Sequence, residues 1–128
     1  MPRALVSRTI KVSESHSGYN SCKARVMVAV YCCRFWQGKS GLTLRELQAI
    51  SQVTHAYLKQ RLPVFCGSRR YLPTNKPWPR PLLVRRAVTQ NKTPVFLYQL
   101  SRYGRSWVED GLSRSKFFAC ADFLGLRA

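Results

Sequence analysis

One stretch constrains the fold of this chain more than any other: GLTLRELQAISQVTHAYLKQRL, from Gly41 to Leu62. Thr43 and Glu46 have the spacing of a capping box, in which a threonine side chain accepts from a first-turn N–H while the glutamate reaches back to the cap. Thr54 can cap a second helix soon afterwards. Each cap is flanked by apolar residues at the spacing of a hydrophobic staple: Leu42 with Leu47, and Val53 with Leu58. The stretch therefore predicts two short helices joined by a tight turn.

The charge balance is the second constraint. The 128 residues include 22 Lys and Arg against 5 Asp and Glu, a net charge of +17, and no acid lies between Leu47 and Val108. Such a segment repels itself and favours a polyanionic partner. Charge alone leaves open whether that partner is DNA, RNA or an anionic membrane. So few acids, with no nucleophile beside a base, leave little for acid–base chemistry, so we expect no enzyme.

Other residue patterns exclude several classes of protein. The longest apolar run, Val26 to Cys33, is far below the roughly 18 residues that span a membrane. It also follows a polar segment, which disfavours a signal peptide. The cysteines are odd in number and form no CxxC pair, so we expect reduced thiols in a cytoplasmic protein: Cys22, Cys32, Cys33, Cys66 and Cys120. His16 and His55 are far apart, and no metal or cofactor is expected.

The chain divides into an arm and a globular part. Residues 1–20 are polar and basic, and they form either a disordered terminus or a tail along a nucleic-acid backbone. Ser21 to Trp36 has apolar residues three and four apart, which predicts an amphipathic helix with a broad buried face. A second helix is expected from Leu44 to about Ile50.

The third helix is predicted from His55 to at least Leu62. Its core side would carry Leu58, Leu62 and Phe65. Pro63 either ends this helix near Leu62 or kinks it, because proline has no N–H and clashes with the preceding turn. We therefore expect any contacts that this helix makes with a ligand to come from its first two turns.

The remaining residues predict a hairpin and further helices. Cys66 to Pro81 is a proline-rich basic connection that either packs its aromatics on the core or contacts nucleic acid. Leu83 to Thr89 and Val95 to Leu100 are rich in β-formers, with a turn at 90–94 and a core face made of Phe96, Tyr98 and Leu100. Ser101 can cap a helix that reaches Asp110. The tail, residues 113–128, predicts a final apolar helix that either packs on the first helix or forms a dimer interface.

This order of elements resembles the winged helix-turn-helix family of prokaryotic and archaeal DNA-binding proteins. The likeness is carried by GLTLRELQ, by LKQRL at the close of the third helix, and by YQLSRYGR at Tyr98 to Arg105. It covers about Ser21 to Asp110, although Ser51 and Gln52 stand where the turn usually has glycine. The resemblance implies an α+β fold with a three-helix core, a β-hairpin wing and C-terminal helices. The implied units are a basic flexible arm (1–20), a winged-helix domain (21–110) and a C-terminal apolar helix (111–128).

The resemblance also implies a sequence-specific transcriptional regulator, which we expect to be nucleoid-associated. We expect it to be a homodimer through the C-terminal helix, because a small domain seldom has spare core to cover so many aromatic residues. The third helix would enter the major groove of double-stranded DNA, and the wing would reach the backbone or minor groove. Gln60 could pair with adenine, Lys59 with guanine or phosphate, and Thr54 with phosphate. The implied DNA-binding residues are Thr54, His55, Ala56, Tyr57, Lys59, Gln60, Arg61, Arg85, Arg86, Asn91, Lys92, Arg102 and Arg105. Gln90 is a further neighbour at the wing tip.

Two other functions fit the same composition. The chain could be a basic module that binds structural RNA or a ribonucleoprotein, since small basic proteins serve there too. It could also be a protein-interaction subunit that uses its apolar tail, with DNA binding secondary. No membrane partner and no cofactor are expected under any of these hypotheses.

Overall fold

The computed structural model of the chain describes residues 21–68, 75 and 80–127. In this part of the chain the elements are α1 (Cys22–Phe35), α2 (Leu44–Ser51), α3 (His55–Phe65), β1 (Leu83–Gln90), β2 (Thr93–Leu100), α4 (Arg102–Ser106) and α5 (Arg114–Phe123). A π-helical turn, Trp107–Gly111, joins α4 to α5. The expected α+β class is confirmed. The predicted arm, residues 1–20, and most of the proline-rich connection lie outside the described residues.

Helix α1 is the centre of the core. Ser21 caps it by accepting a hydrogen bond from the N–H of Ala24 at 3.1 Å. Every side chain from Val26 to Val30 is at most 2% exposed, because α2, α5 and β2 all pack around this helix. We expected one broad buried face, whereas the middle of α1 is enclosed on all sides, as is usual for a helix that is apolar all round.

The caps of α2 and α3 form as predicted. The N–H of Glu46 donates to the Thr43 hydroxyl at 3.2 Å, and the Glu46 carboxylate accepts from the N–H of Thr43 at 3.0 Å. At α3, the Thr54 hydroxyl accepts from the N–H of Tyr57 at 3.1 Å. Both staples are buried: Leu42, Leu47, Val53 and Leu58. Each signal spans at most six residues, which is why sequence alone was sufficient to find it.

The turn between α2 and α3 depends on a buried arginine of α1. Gln52 adopts the left-handed conformation, with φ of 58° and ψ of 41°, at the position where glycine is usual. Arg25 is 4% exposed; its Nε donates to the Ser51 carbonyl at 2.9 Å, and its Nη2 donates to the Gln52 carbonyl. Its guanidinium also lies 5.7 Å from the ring centroid of Phe123 on α5. One side chain therefore joins α1, the turn and α5.

Helix α3 continues past Pro63 to Phe65. We predicted a helix to at least Leu62 that either ends or kinks near Pro63, and of these two alternatives the end near Leu62 is wrong. Interior proline costs about 3 kcal/mol. Val64 and Phe65 are buried in that last turn, and burying each such side chain contributes about 1.5–3 kcal/mol, which offsets the cost.

The hairpin is longer, and its turn tighter, than predicted. Asn91 and Lys92 both have positive φ, 49° and 65°, and form a two-residue turn that pairs Gln90 with Thr93. Pro94 lies within β2 opposite Thr89. Residue pairs along an antiparallel ladder alternate between hydrogen-bonded and non-hydrogen-bonded ones. Thr89 and Pro94 form the second pair from the turn, which is non-hydrogen-bonded, so the missing N–H of proline breaks no ladder bond. Pro94 therefore did not exclude the strand, although we placed it in the turn.

An isolated β-bridge holds the hairpin on the helical core. Leu42 and Tyr98 exchange two backbone hydrogen bonds, of 3.1 and 2.8 Å. Gly41 permits this approach, because a Cβ there would lie 3.0 Å from the Gln99 side chain and 3.2 Å from the Tyr98 carbonyl oxygen. The hairpin is thereby fixed to the segment that leads into α2.

The predicted core face of β2 is partly wrong. Tyr98 is buried and Leu100 is half-buried, but Phe96 is 45% exposed. The three residues do share one face with Leu83 of β1. The hairpin extends beyond the helices towards its tip, so only the base of that face meets the core.

The C-terminal elements close the fold over α1. The Ser101 hydroxyl accepts from the N–H of Gly104 at 2.9 Å, which confirms the cap, but α4 ends at Ser106 and passes into the π-helical turn instead of running as one helix to Asp110. Gly104 is required because a Cβ there would lie 2.0 Å from the Leu82 carbonyl oxygen. In α5, the Phe117 ring packs edge-on against Tyr31 and Trp36. The tail thus packs on the first helix, one of the two expected outcomes.

The five cysteines are free thiols. Cys32, Cys33 and Cys120 are buried in the core, as expected for the adjacent pair on α1. Burial raises the pKa of Cys32 and that of Cys120 to about 12 each, so both remain protonated at neutral pH. No helix in the described ranges is both long and apolar enough to cross a membrane.

The Arg25 contacts predict a large stability effect. Arg25→Met keeps the length of the side chain but leaves the turn carbonyls without these donors, and each orphaned buried acceptor costs about 1–3 kcal/mol. We expect the free energy of unfolding, measured by urea denaturation, to fall by about 2 kcal/mol or more. The matched control is Arg34→Met on the exposed end of α1, which should change it by less than about 0.5 kcal/mol. Equal effects of the two substitutions would contradict a structural role for Arg25.

Candidate nucleic-acid interface

The solvent side of α3 carries five of the predicted contact residues. They are all exposed: Thr54, His55, Ala56, Lys59 and Gln60. The opposite side of the helix carries Leu58 and Leu62, which are buried in the core. The last turn is buried through Val64 and Phe65, so the exposed polar residues lie in the first two turns, as predicted. A side chain on this surface is free to meet a ligand without unpacking the core.

Tyr57 and Arg61 are less available than the other predicted residues of α3. Both are half-buried, and the Tyr57 ring lies 6.4 Å from that of Phe65. Burial is the main cause that raises the pKa of Tyr57 to about 12, so its hydroxyl stays neutral. The Arg61 guanidinium lies 5.5 Å from the Phe65 ring centroid. These two residues are therefore flanks of the surface.

A groove of about 790 Å³ separates α3 from β1. His55 and Lys59 line one wall, one helical turn apart, and Arg85 lines the other. The floor is apolar and includes Leu58, Leu62, Leu83 and the ring of Tyr98. No carboxylate is among the described residues that line it. The fold thus brings three of the predicted site residues to one basic cleft.

Arg85 is held in place by aromatic side chains of β2. Its guanidinium carbon lies 4.2 Å from the centroid of the exposed Phe96 ring. It also lies directly across the ladder from Tyr98, whose pKa is raised by burial. An arginine stacked on an aromatic face keeps its planar donors oriented and loses less freedom on binding. The sequence analysis assigned Phe96 to the core and missed this supporting role, because alternation along a strand does not show where a hairpin leaves the core.

The remaining hairpin residues lie at the tip and on the opposite face. Asn91 and Lys92 form the exposed turn. Arg86 is exposed and alternates with Arg85, so the two point to opposite faces of the ribbon. Arg85 therefore faces the α3 groove, whereas Arg86 lies on the opposite face of the hairpin.

Arg102 and Arg105 do not join the α3 groove. They line a separate cavity of about 350 Å³ together with Arg34 of α1, which the sequence analysis did not single out. The two cavities have no lining residue in common. Nothing in the sequence could link Arg34 to residues almost seventy positions later, since they meet only through tertiary packing.

The described ion pairs lie outside the groove. Lys39 pairs with Glu46 on α2, and Arg105 pairs with Glu109 at 3.0 Å. Lys39 and the Thr43 N–H lower the pKa of Glu46, so this carboxylate is ionised at neutral pH. The cations of α3 and the hairpin are left without carboxylate partners in the described part of the chain. Their charge is available to an anion from outside.

Comparison of the chain with known protein families, with curated proteins and with solved structures finds no match. The case for a function therefore comes from the surface chemistry of this molecule. That surface combines the exposed side of α3, a groove whose described lining residues include no carboxylate, and a basic hairpin tip.

Proposed function

We propose that the protein binds double-stranded DNA as a sequence-specific transcriptional regulator. The observation that carries the proposal is the basic groove between α3 and β1, which is lined by His55, Lys59 and Arg85 and, among the residues that the structure describes, by no carboxylate. Polyanion binding relieves the repulsion between cations such as Lys59 and Arg85, and phosphate contacts supply most of the affinity for DNA.

The placement of the hairpin supports α3 as the reading helix. The backbone of Leu42 pairs with that of Tyr98, so the hairpin of β1 and β2 lies next to a capped helix pair. This arrangement is compatible with a winged helix, in which the second helix of the pair enters the major groove and the hairpin contacts the adjacent backbone or minor groove. A helix fits the major groove, where the four base pairs present different patterns of donors and acceptors.

Within this proposal the exposed residues take different roles. Gln60 has the amide that can pair with adenine in two hydrogen bonds, and Lys59 can reach guanine or a phosphate. Thr54 already uses its hydroxyl to cap α3, and its place at the start of the helix suits a phosphate contact. Asn91, Lys92 and Arg86 on the hairpin hold the backbone through charge and amide donors.

DNA binding predicts a steep dependence on salt. Each phosphate contact releases about one counterion, so a protein that contacts about six phosphates loses about a thousandfold in affinity between 50 and 200 mM salt. Fluorescence anisotropy of a labelled duplex, titrated at several salt concentrations, measures this slope. A flat response would contradict phosphate binding.

The same titration separates DNA from RNA. We expect a duplex selected from random DNA to compete better than a structured RNA of equal length, because α3 suits the wide major groove and the major groove of RNA is deep and narrow. Stronger competition by the RNA would replace the proposal with a structural RNA- or ribonucleoprotein-binding module.

Base reading and backbone binding predict different mutant phenotypes. Against a duplex obtained by selection, Gln60→Ala should relax preference at one base pair, with a cost of about 1–3 kcal/mol. Lys92→Ala should weaken binding to all sequences alike and lower the salt slope by about one. Lys116→Ala, which removes an exposed lysine of α5, is the control and should leave both quantities unchanged. Similar phenotypes for Gln60→Ala and Lys92→Ala would rule out α3 as the reader.

We also propose a homodimer through the end of α1 and α5. Phe118 is 43% exposed and stacks on Trp36, with ring centroids 6.2 Å apart. Exposed aromatic surface of this kind is typical of interfaces. Much of the rest of the tail is buried against α1, so Phe118 is the residue to change.

The dimer proposal predicts that Phe118→Ser lowers the dimer fraction in sedimentation equilibrium, because it removes apolar area from the interface. Phe96→Ser on the hairpin is the matched control, since Phe96 is exposed to a similar extent at 45%. An unchanged dimer fraction in Phe118→Ser, or a purely monomeric wild-type protein, would refute the interface.

A further inference from the structure

The second cavity is a basic site that the DNA-binding proposal does not use. We call it the arginine cavity: it lies between the end of α1, the end of β2 and α4, and its polar lining is Arg34, Ser40, Gln99, Ser101, Arg102 and Arg105. Its volume is about 350 Å³, within the range of small-molecule sites. It shares no lining residue with the α3 groove. A ligand of this cavity would therefore occupy a separate place on the molecule.

The arginine cavity has an uncompensated positive charge. No carboxylate is among its described lining residues, and in the described part of the chain neither Arg34 nor Arg102 forms an ion pair. Arg105 bonds Glu109 through its Nε at 3.0 Å. An arginine carries five N–H donors, so this pair leaves donors of Arg105 for a second anion.

Arg105 is also oriented before any ligand arrives. Its guanidinium carbon lies 4.5 Å from the Phe35 ring centroid. Its partner Glu109 accepts a second hydrogen bond from the Tyr31 hydroxyl at 2.8 Å, and both contacts lower the pKa of this carboxyl. The carboxylate therefore stays ionised and keeps Arg105 at the cavity. Such fixed donors bind an anion with less loss of freedom than mobile side chains do.

The chemistry of the lining selects the class of ligand. Three guanidinium groups suit a doubly charged oxyanion, since each can present paired N–H donors to phosphate oxygens. Apolar walls from Val30, Phe35 and Leu100 leave room for an organic portion next to the charged group. A concave site of this size holds a small molecule, whereas a duplex backbone needs an open surface.

We propose that the arginine cavity binds the phosphate monoester group of a small organic molecule. Binding at this cavity needs no DNA, so the proposal stands apart from the function of α3. It assigns Arg102 and Arg105 to an anion other than the duplex that α3 reads.

Isothermal titration with inorganic phosphate and with adenosine monophosphate, at constant ionic strength and without DNA, tests the proposal. The wild-type protein should bind one molecule of adenosine monophosphate, and inorganic phosphate should compete for it. Arg34→Gln and Arg102→Gln should each weaken binding by about tenfold or more, because each removes a charge-assisted contact. Both side chains are exposed, so the variants should keep their fold.

The control is Arg114→Gln, which removes an exposed arginine of α5 that does not line the cavity. It should bind as the wild type does, because it lowers the net charge equally without touching the site. Equal weakening in all three variants would show non-specific attraction to a +17 protein and would overturn the proposal. Absence of binding by either probe would overturn it too. So would a result in which Arg34→Gln and Arg102→Gln impair duplex binding and leave phosphate binding unchanged. The outcomes of the phosphate and adenosine monophosphate titrations do not depend on whether α3 binds DNA.

Discussion

The hydrogen bonds from Arg25 to the carbonyls of Ser51 and Gln52 are the contacts on which the candidate DNA surface depends. A left-handed residue other than glycine costs about 1–2 kcal/mol, and here it sits at the joint that sets the direction of α3. The buried guanidinium compensates by satisfying the end of α2, and burial lowers its pKa from the usual arginine value without removing its charge. Because Arg25 belongs to the central helix α1, the exposed side of α3 is fixed relative to the core. The candidate DNA surface is thereby prearranged before any ligand binds.

The hairpin is fixed to the core by a backbone pairing and lies beside the same candidate DNA surface. Leu42 lies directly before the Thr43 cap and also pairs with Tyr98, so one short segment connects the start of α2 to β2. Arg85 is then held over Phe96 on the wall opposite Lys59. Like charges across a groove destabilise the free protein, and a polyanion that enters the groove stabilises it. The high positive charge of the chain is therefore consistent with its proposed polyanionic partner. The arginine cavity, with Arg34 and Arg102, is a second, proposed anion site away from that groove.

Local signals predicted the helices well, and long-range packing explains the differences. The caps at Thr43, Thr54 and Ser101 were found from sequence because each side chain bonds a backbone group three residues away. Pro63 was harder to interpret, because the burial of Val64 and Phe65 that extends α3 is a tertiary effect. Phe96 was misassigned for the same reason. Arg25 and Arg34 carried no local signal at all, since their partners lie in distant parts of the chain. The exposed residues of α3 were placed correctly by helical spacing, but their role in binding DNA stays a proposal.

Amide chemical-shift mapping tests the central claim, that α3 and the hairpin form the DNA surface, most directly. Uniformly ¹⁵N-labelled protein is titrated with a duplex obtained by selection, and the shifts are mapped on the structure. The account predicts the largest changes at residues 54–61, at Arg85 and at the Asn91–Lys92 turn, with small changes in α5. Changes confined to α5 and the end of α1, with the amides of α3 unmoved, would contradict it.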